Sequence, residues 1–415
     1  MNIAMVGNVG NASFLLAEGL REIGHDVRLV LTRKEKLHHP VLSGMIDSVP
    51  DWIYDASDLG STAFENQDAA IGPALSFATH KADLAILNDV GPSLHNIIAV
   101  PTVCFLTGSD LTYYASTSSG LARRQSWSPG FASSAHGVMS IESWEQIVFR
   151  QRAGIRKALL VIYPPRGAMP SSDLLLDEIG AENSKRLFLP GIDIKRLHAS
   201  PLPPGRVLKI LNGARLNWVE PMPPGFADQD HKGTDKLLKG FSEFLRKGGE
   251  GQLTLVEKGL HVNETRLLAQ QLGIDRHILW KSELTQSEFY MEMNGSHIVC
   301  CNLGKSVPGL AGLSGMAAGR PVLANFLPYA DHFERPWPVC DARTPGEIAD
   351  HLWRLYREPA ARQTLGNEAR RFAEDYLSPA SFANVLVRRL ADCLRVAKLE
   401  LEIAELRDAR DQSRS

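Results

Sequence analysis

The chain has 415 residues, of which 44% are hydrophobic and 22% charged, more than one hydrophobic core ordinarily serves, so two domains are expected. Lys and Arg number 45 against 47 Asp and Glu, a formal net charge of −2, which leaves no large field of either sign to gather nucleic acid or an anionic membrane. Cys104, Cys300, Cys301, Cys340 and Cys393 form no CxxC pair and no even-numbered framework; the first residues lack a signal peptide's basic flank and long apolar core; and no later apolar run reaches membrane-spanning length. A cytoplasmic protein is the expectation.

In chain order, residues 1–6 read as a buried parallel strand, 7–11 as a tight loop, 12–23 as a helix stopped by Gly24, and 26–31 as a second strand. Apolar runs at 84–87, 102–106 and 137–141 add strands to one parallel sheet, making residues 1–200 a Rossmann-like domain. Residues 199–206, with three prolines, can continue neither a helix nor a central strand and are expected to be the hinge. The alternation then restarts, with strands at 207–212, 252–256, 277–281, 297–301 and 321–324. Helices are expected between them at 235–247, 263–272, 286–293 and 312–318, so residues 201–375 form a second domain. The fold class is therefore α/β, two doubly wound domains facing a cleft. The remainder, 376–415, is a helical segment in which Val396, Leu399, Ile403 and Leu406 keep a three-four spacing. That stripe suits packing on the body of the protein and a homodimer seam equally.

Open α/β sheets bind ligands beyond the carboxyl ends of their strands, so chemistry is sought in those loops. Asn8-Val9-Gly10-Asn11 offers amide groups at a helix start and, at Gly10, room for a phosphate or sugar to approach; it is equally a plain turn between strand and helix. A nicotinamide site fits poorly, because the second strand ends at Leu31-Thr32-Arg33 without the acidic residue that grips a ribose, and only Arg33 keeps an NADP reading open. In the second domain Arg215 follows a strand and Lys232 heads a helix, a fork and a point charge suited to clamping a diphosphate; the plain alternative is two solvated surface charges. A glycine-rich loop from Ser306 through Gly309 and Leu310 to Ser314 opens another helix and can seat phosphate on free amides. No Asp-x-Asp pair or histidine cluster suggests a metal.

Met316-Ala-Ala-Gly-Arg-Pro-Val322, Lys232-Gly-Thr-Asp235, Leu189-Pro-Gly-Ile-Asp193 and Thr107-Gly-Ser-Asp110 together resemble segments of the retaining family 4 glycosyltransferases, proteins of GT-B architecture. The resemblance implies a nucleotide diphosphate sugar as substrate, with no separate cofactor, and an acceptor that is a glycan, lipid, protein or small molecule. It implies that Arg215 and Lys232 hold the diphosphate and act in catalysis, and that Gly10, Ser306, Gly309, Leu310 and Ser314 contact the donor. Asn11, Thr107 and Asp110 fall on the acceptor side. The family pattern has glutamates where this chain has Ser306 and Ser314, and a histidine where it has Thr107. The serine hydroxyls replace hydrogen-bonding capacity but not charge. A transferase acting with retention is the leading reading; the alternatives are a protein of the same fold that binds without turnover, and a sugar-nucleotide epimerase or a phosphorylase.

Overall fold

The computed structural model describes residues 1–126, 141–182, 185–188, 191–226, 230–304, 309–326 and 335–412. Seven parallel strands make the first sheet: β1 (Asn2–Val6), β2 (Asp26–Leu31), β3 (Ile53–Asp55), β4 (Leu84–Leu87), β5 (Thr102–Phe105), β6 (Leu160–Ile162) and β7 (Arg186–Leu187). Their spatial order is β3-β2-β1-β4-β5-β6-β7. β1 is central because it is apolar on both faces. Ile3 and Met5 pack with Phe14, Leu16 and Leu20, while Ala4 and Val6 meet Phe64 and Val90 on the other side.

The second sheet comprises β8 (Leu208–Asn212), β9 (Gly251–Val256), β10 (Ile278–Lys281), β11 (Ile298–Cys300), β12 (Val322–Ala324) and β13 (Val339–Asp341), in the order β10-β9-β8-β11-β12-β13. Helix Thr234–Arg246 buries Leu237, Leu238, Phe241 and Phe244 and turns its Asp235–Lys239 pair, 3.0 Å apart, outward. Both sheets reverse their winding at the middle, between β1 and β4 and between β8 and β11. The loops that follow these four strands are therefore the topological switch points.

One expectation is corrected at its last residue. Residues 137–140 lie outside the described residues, and Ile141 opens a helix, Ile141–Lys157, rather than closing a strand. That helix buries Trp144, Ile147, Val148, Gln151 and Ile155, a helical spacing. The next position in the sheet is taken by β6.

Residues 199–206 carry no helix or strand, yet they are held to the second domain. Arg320, fully buried and without an acidic partner among the described residues, donates to the Ser200 carbonyl at 2.7 Å and hydroxyl at 2.6 Å and to the carbonyls of Met293 and Asn294. The chain crosses between domains near Ile192 and again near Leu377, and the two crossings are tied by the Ile192 amide donating to the Leu377 carbonyl at 2.8 Å. Helix Pro379–Gln412 then returns to the first domain, where Phe382, Ala383, Leu386 and Leu390 join its core. The side chains of Val396, Leu399, Ile403 and Leu406 lie outside the described residues. Among the described residues no helix is long and apolar enough to cross a membrane.

Candidate active site

All four switch-point loops carry polar residues. After β1 comes the turn through Gly10, whose φ of 62° is left-handed and whose neighbour Asn11 is left-handed too, at 58°. The amides expected to greet a ligand here are already paired. Val9 N–H donates to Asn88 Oδ1 at 2.7 Å, Gly10 N–H to His38 Nδ1 at 2.9 Å, and Phe14 N–H to Asn8 Oδ1 at 2.9 Å. The β1 loop is thus an internally satisfied platform, and the expectation of free amides at Gly10 is corrected: its N–H is capped by an imidazole.

Asn11 is fully buried. Its Oδ1 accepts from Asn8 Nδ2 at 2.9 Å, and its Nδ2 donates to Ser43 Oγ at 3.0 Å and, across the cleft, to Gln286 Oε1 at 3.2 Å. It joins the domains rather than facing the open cleft. Thr107 and Asp110 are likewise internal to the loop after β5. The Asp110 carboxylate accepts the amides of Thr107 at 2.8 and 2.7 Å and Gly108 at 2.7 Å, and Asn88 Nδ2 at 3.1 Å. Burial pushes its pKa up to about 7 against the pull of those amides. Arg33 spends its guanidinium on buried Asp89, at 2.6 and 2.9 Å, and on the Tyr114 hydroxyl at 3.0 Å, leaving no free fork for a ribose phosphate.

Facing this platform, the loop after β8 presents Arg215, exposed. The loop before helix Thr234–Arg246 is stitched between two switch points: Lys232 N–H donates to the Asn217 carbonyl at 2.6 Å, and Leu303 N–H to the Lys232 carbonyl at 3.0 Å. Gly233 is obligatory there, since φ is 69° and a Cβ would lie 2.5 Å from the Leu303 carbonyl carbon. The half-buried Lys232 ammonium has a pKa below the ordinary lysine value, chiefly from burial and further from Arg215, with Asp230 opposing. The two predicted cations therefore stand within each other's field. Beside them the Thr234 hydroxyl and His231 Nδ1 are buried with no partner among the described residues.

Ser306 lies outside the described residues. Gly309 precedes helix Leu310–Ala317 as its N-terminal cap residue, with open space where a Cβ would stand, and Leu310, half exposed, reaches to 3.4 Å from the position a Gly10 Cβ would take. Ser314 is not at the helix start, as the sequence suggested, but inside it. Its side chain is buried there, and the nearby Tyr290 hydroxyl accepts from Gln286 Nε2 at 2.6 Å. A polar chain Tyr290–Gln286–Asn11 thus spans the cleft floor, and Ser287 Oγ adds a second link to the Gly44 carbonyl at 2.9 Å. Of these partners only Asn11 was singled out in the sequence; Gln286 and Tyr290, one helical turn apart, carried no motif.

Two Rossmann-like domains meeting across a cleft at their switch points define the GT-B architecture. Residues 227–372 match the family model described as glycosyl transferases group 1. No curated protein sequence matches the chain. Among solved structures the chain is similar to sucrose-phosphate synthase from Thermosynechococcus elongatus (16% identity, TM-score 0.60, covering 95% of this chain and 99% of that one). It is also similar to Anabaena HepE in complex with UDP and glucose (14%, 0.60, 94% and 100%). A glycosyltransferase from Rickettsia africae follows (13%, 0.57, 94% and 98%).

Proposed function

We propose that the protein is a glycosyltransferase that moves a sugar from a nucleotide diphosphate sugar to an acceptor, with retention at the anomeric carbon. The observation that carries this reading is the pair Arg215 and Lys232 at the second domain's switch point, opposite the Gly10 loop and within the part of the fold matched by the group 1 family model or just before it. A diphosphate leaving group develops charge as the bond to the sugar breaks, and two cations in a cleft that narrows around it stabilise that charge. Buried polar groups are paired in folded proteins, so the Thr234 hydroxyl beside Lys232 gives a bound phosphate a further donor.

In this reading the acceptor oxygen bonds to the anomeric carbon on the face the phosphate leaves. The bond from that carbon to the phosphate oxygen breaks, and the departing phosphate takes the acceptor proton. Uridine nucleotides are the first to test, because the HepE structure holds UDP and glucose. A second reading, binding without turnover, draws on Ser314, buried inside helix Leu310–Ala317 where the resembling family carries a carboxylate. The test is incubation of the purified protein with a panel of nucleotide sugars, following released nucleoside diphosphate and bound ligand. Release from one donor supports the transferase, binding without release supports the second reading, and neither defeats both.

A further inference from the structure

His38 lies outside every motif discussed above, in the loop between β2 and β3, yet it is braced directly on the Gly10 turn. Its Nδ1 accepts the Gly10 amide at 2.9 Å, and its own carbonyl accepts Asn8 Nδ2 at 3.0 Å. A nitrogen that accepts a hydrogen bond carries no proton, so the neutral ring must hold its proton on Nε2. Nε2 has no hydrogen-bond partner among the described residues. The ring is half-buried, and the groups acting on its charge come from both domains. Burial, Arg33 and Arg215 disfavour the protonated form, while Glu35 and Asp89 favour it; the balance lies below the usual histidine pKa. Arg215 belongs to the facing domain, so the ring stands on the cleft side of the platform.

We propose that His38 is the first domain's hydrogen-bond donor to the diphosphate of the nucleotide sugar, presenting Nε2–H to the cleft opposite Arg215. This rests on the donor-site reading above and adds to it a residue from the other domain. The Gly10 amide cannot itself reach a ligand while it is bonded to Nδ1, but its donation polarises the ring and makes Nε2–H a stronger hydrogen-bond donor on the far side. The imidazole thereby extends the reach of the amide by the width of a ring. The same geometry excludes His38 as a general base, because an unprotonated Nε2 would require a proton on Nδ1, where the Gly10 N–H already points.

Calorimetric titration with UDP, ADP and GDP tests this on the parent and on His38→Ala and His38→Asn. Asparagine keeps an acceptor at the Nδ1 position for Gly10 but has nothing at Nε2. The proposal expects the parent to bind one of these nucleotides and both variants to lose about tenfold or more in affinity, the scale of a hydrogen bond to a charged group. Thermal unfolding of each variant verifies an intact fold. In nitrogen-proton correlation spectra of the parent, His38 should be the Nε2–H tautomer, and its Nε2 resonance should move on binding. Parent-like affinity in His38→Ala, parent-like affinity in His38→Asn alone, or an Nδ1–H tautomer would each overturn the proposal, the second by showing that the ring only props the loop. A parent that binds no nucleotide would instead defeat the donor-site reading itself.

Discussion

His297 is fully buried between the two structures it joins: Nδ1 accepts the Lys209 amide at 2.9 Å, and Nε2 lies 2.8 Å from the Pro203 carbonyl, to which it donates. Burial is the main cause that lowers its pKa to about 4, from an ordinary value near 6.5. Between these values the unfolded chain binds a proton that the folded one does not. The stabilisation is therefore complete above about pH 6.5 and is lost as the pH falls towards 4, with a slope of at most about 1.4 kcal/mol per unit. Urea midpoints at pH 7 and pH 5 should differ in the parent, and the difference should shrink in His297→Gln. Ser314 makes a second prediction at this scale. Its side chain is buried within helix Leu310–Ala317, so Ser314→Ala should cost no more than about 1 kcal/mol of stability with nucleotide affinity within twofold of the parent; a large loss of affinity would show that the hydroxyl serves the ligand.

What could be read residue by residue followed from distance along the chain. Arg215 stands just after β8 and Lys232 just before helix Thr234–Arg246, elements that the hydrophobic pattern locates, so their positions relative to the second sheet were legible. His38 was not, because its role depends on a contact with Gly10 across 28 positions. Asp110 was legible as a residue following β5, but it sits in the short helix Ser109–Thr112 and its carboxylate accepts from five donors of Asn88, Thr107, Gly108 and Leu111, and sequence does not reveal which way a carboxylate points.

Among the elements, five of the six strands of the second domain were legible almost to the residue, since each is a short apolar run between helices of clear periodicity. Of the run at 137–141 only Ile141 is among the described residues, and there a helical repeat begins, while β3, β6, β7 and β13, of two or three residues each, were not read from the sequence. The terminal helix offers the sharpest element-scale test. A Cβ on Gly19, in helix Ala12–Glu22, would fall 2.1 Å from the Pro379 carbonyl oxygen, so the two helices approach at a point that admits no side chain. Gly19→Ala should destabilise the protein by about 1–3 kcal/mol despite alanine's better helix propensity. A rise in denaturant midpoint would mean that the terminal helix does not dock on the first domain as described.

At the scale of the whole molecule, the cleft is bridged by Asn11–Gln286 and Ser287–Gly44, contacts that a domain rotation must break. Arg320 and His297 fasten the proline-rich segment to the second domain, so rotation is expected at the paired crossings near Ile192 and Leu377 instead. Small-angle scattering should find a larger radius of gyration in Gln286→Ala/Ser287→Ala than in the parent, restored towards the parent value by a bound donor; equal dimensions would show that these contacts do not hold the domains together. The claim on which the account depends is that Arg215 and Lys232 stabilise a departing nucleoside diphosphate. The most direct measurement is the rate of nucleoside diphosphate release from nucleotide sugars by the parent and by Arg215→Ala/Lys232→Ala. Each contact to the charged group contributes about 1.5–3 kcal/mol, so the account predicts release from one donor and a fall of roughly a hundredfold or more in the folded double variant. Release that is undiminished in that variant would contradict it.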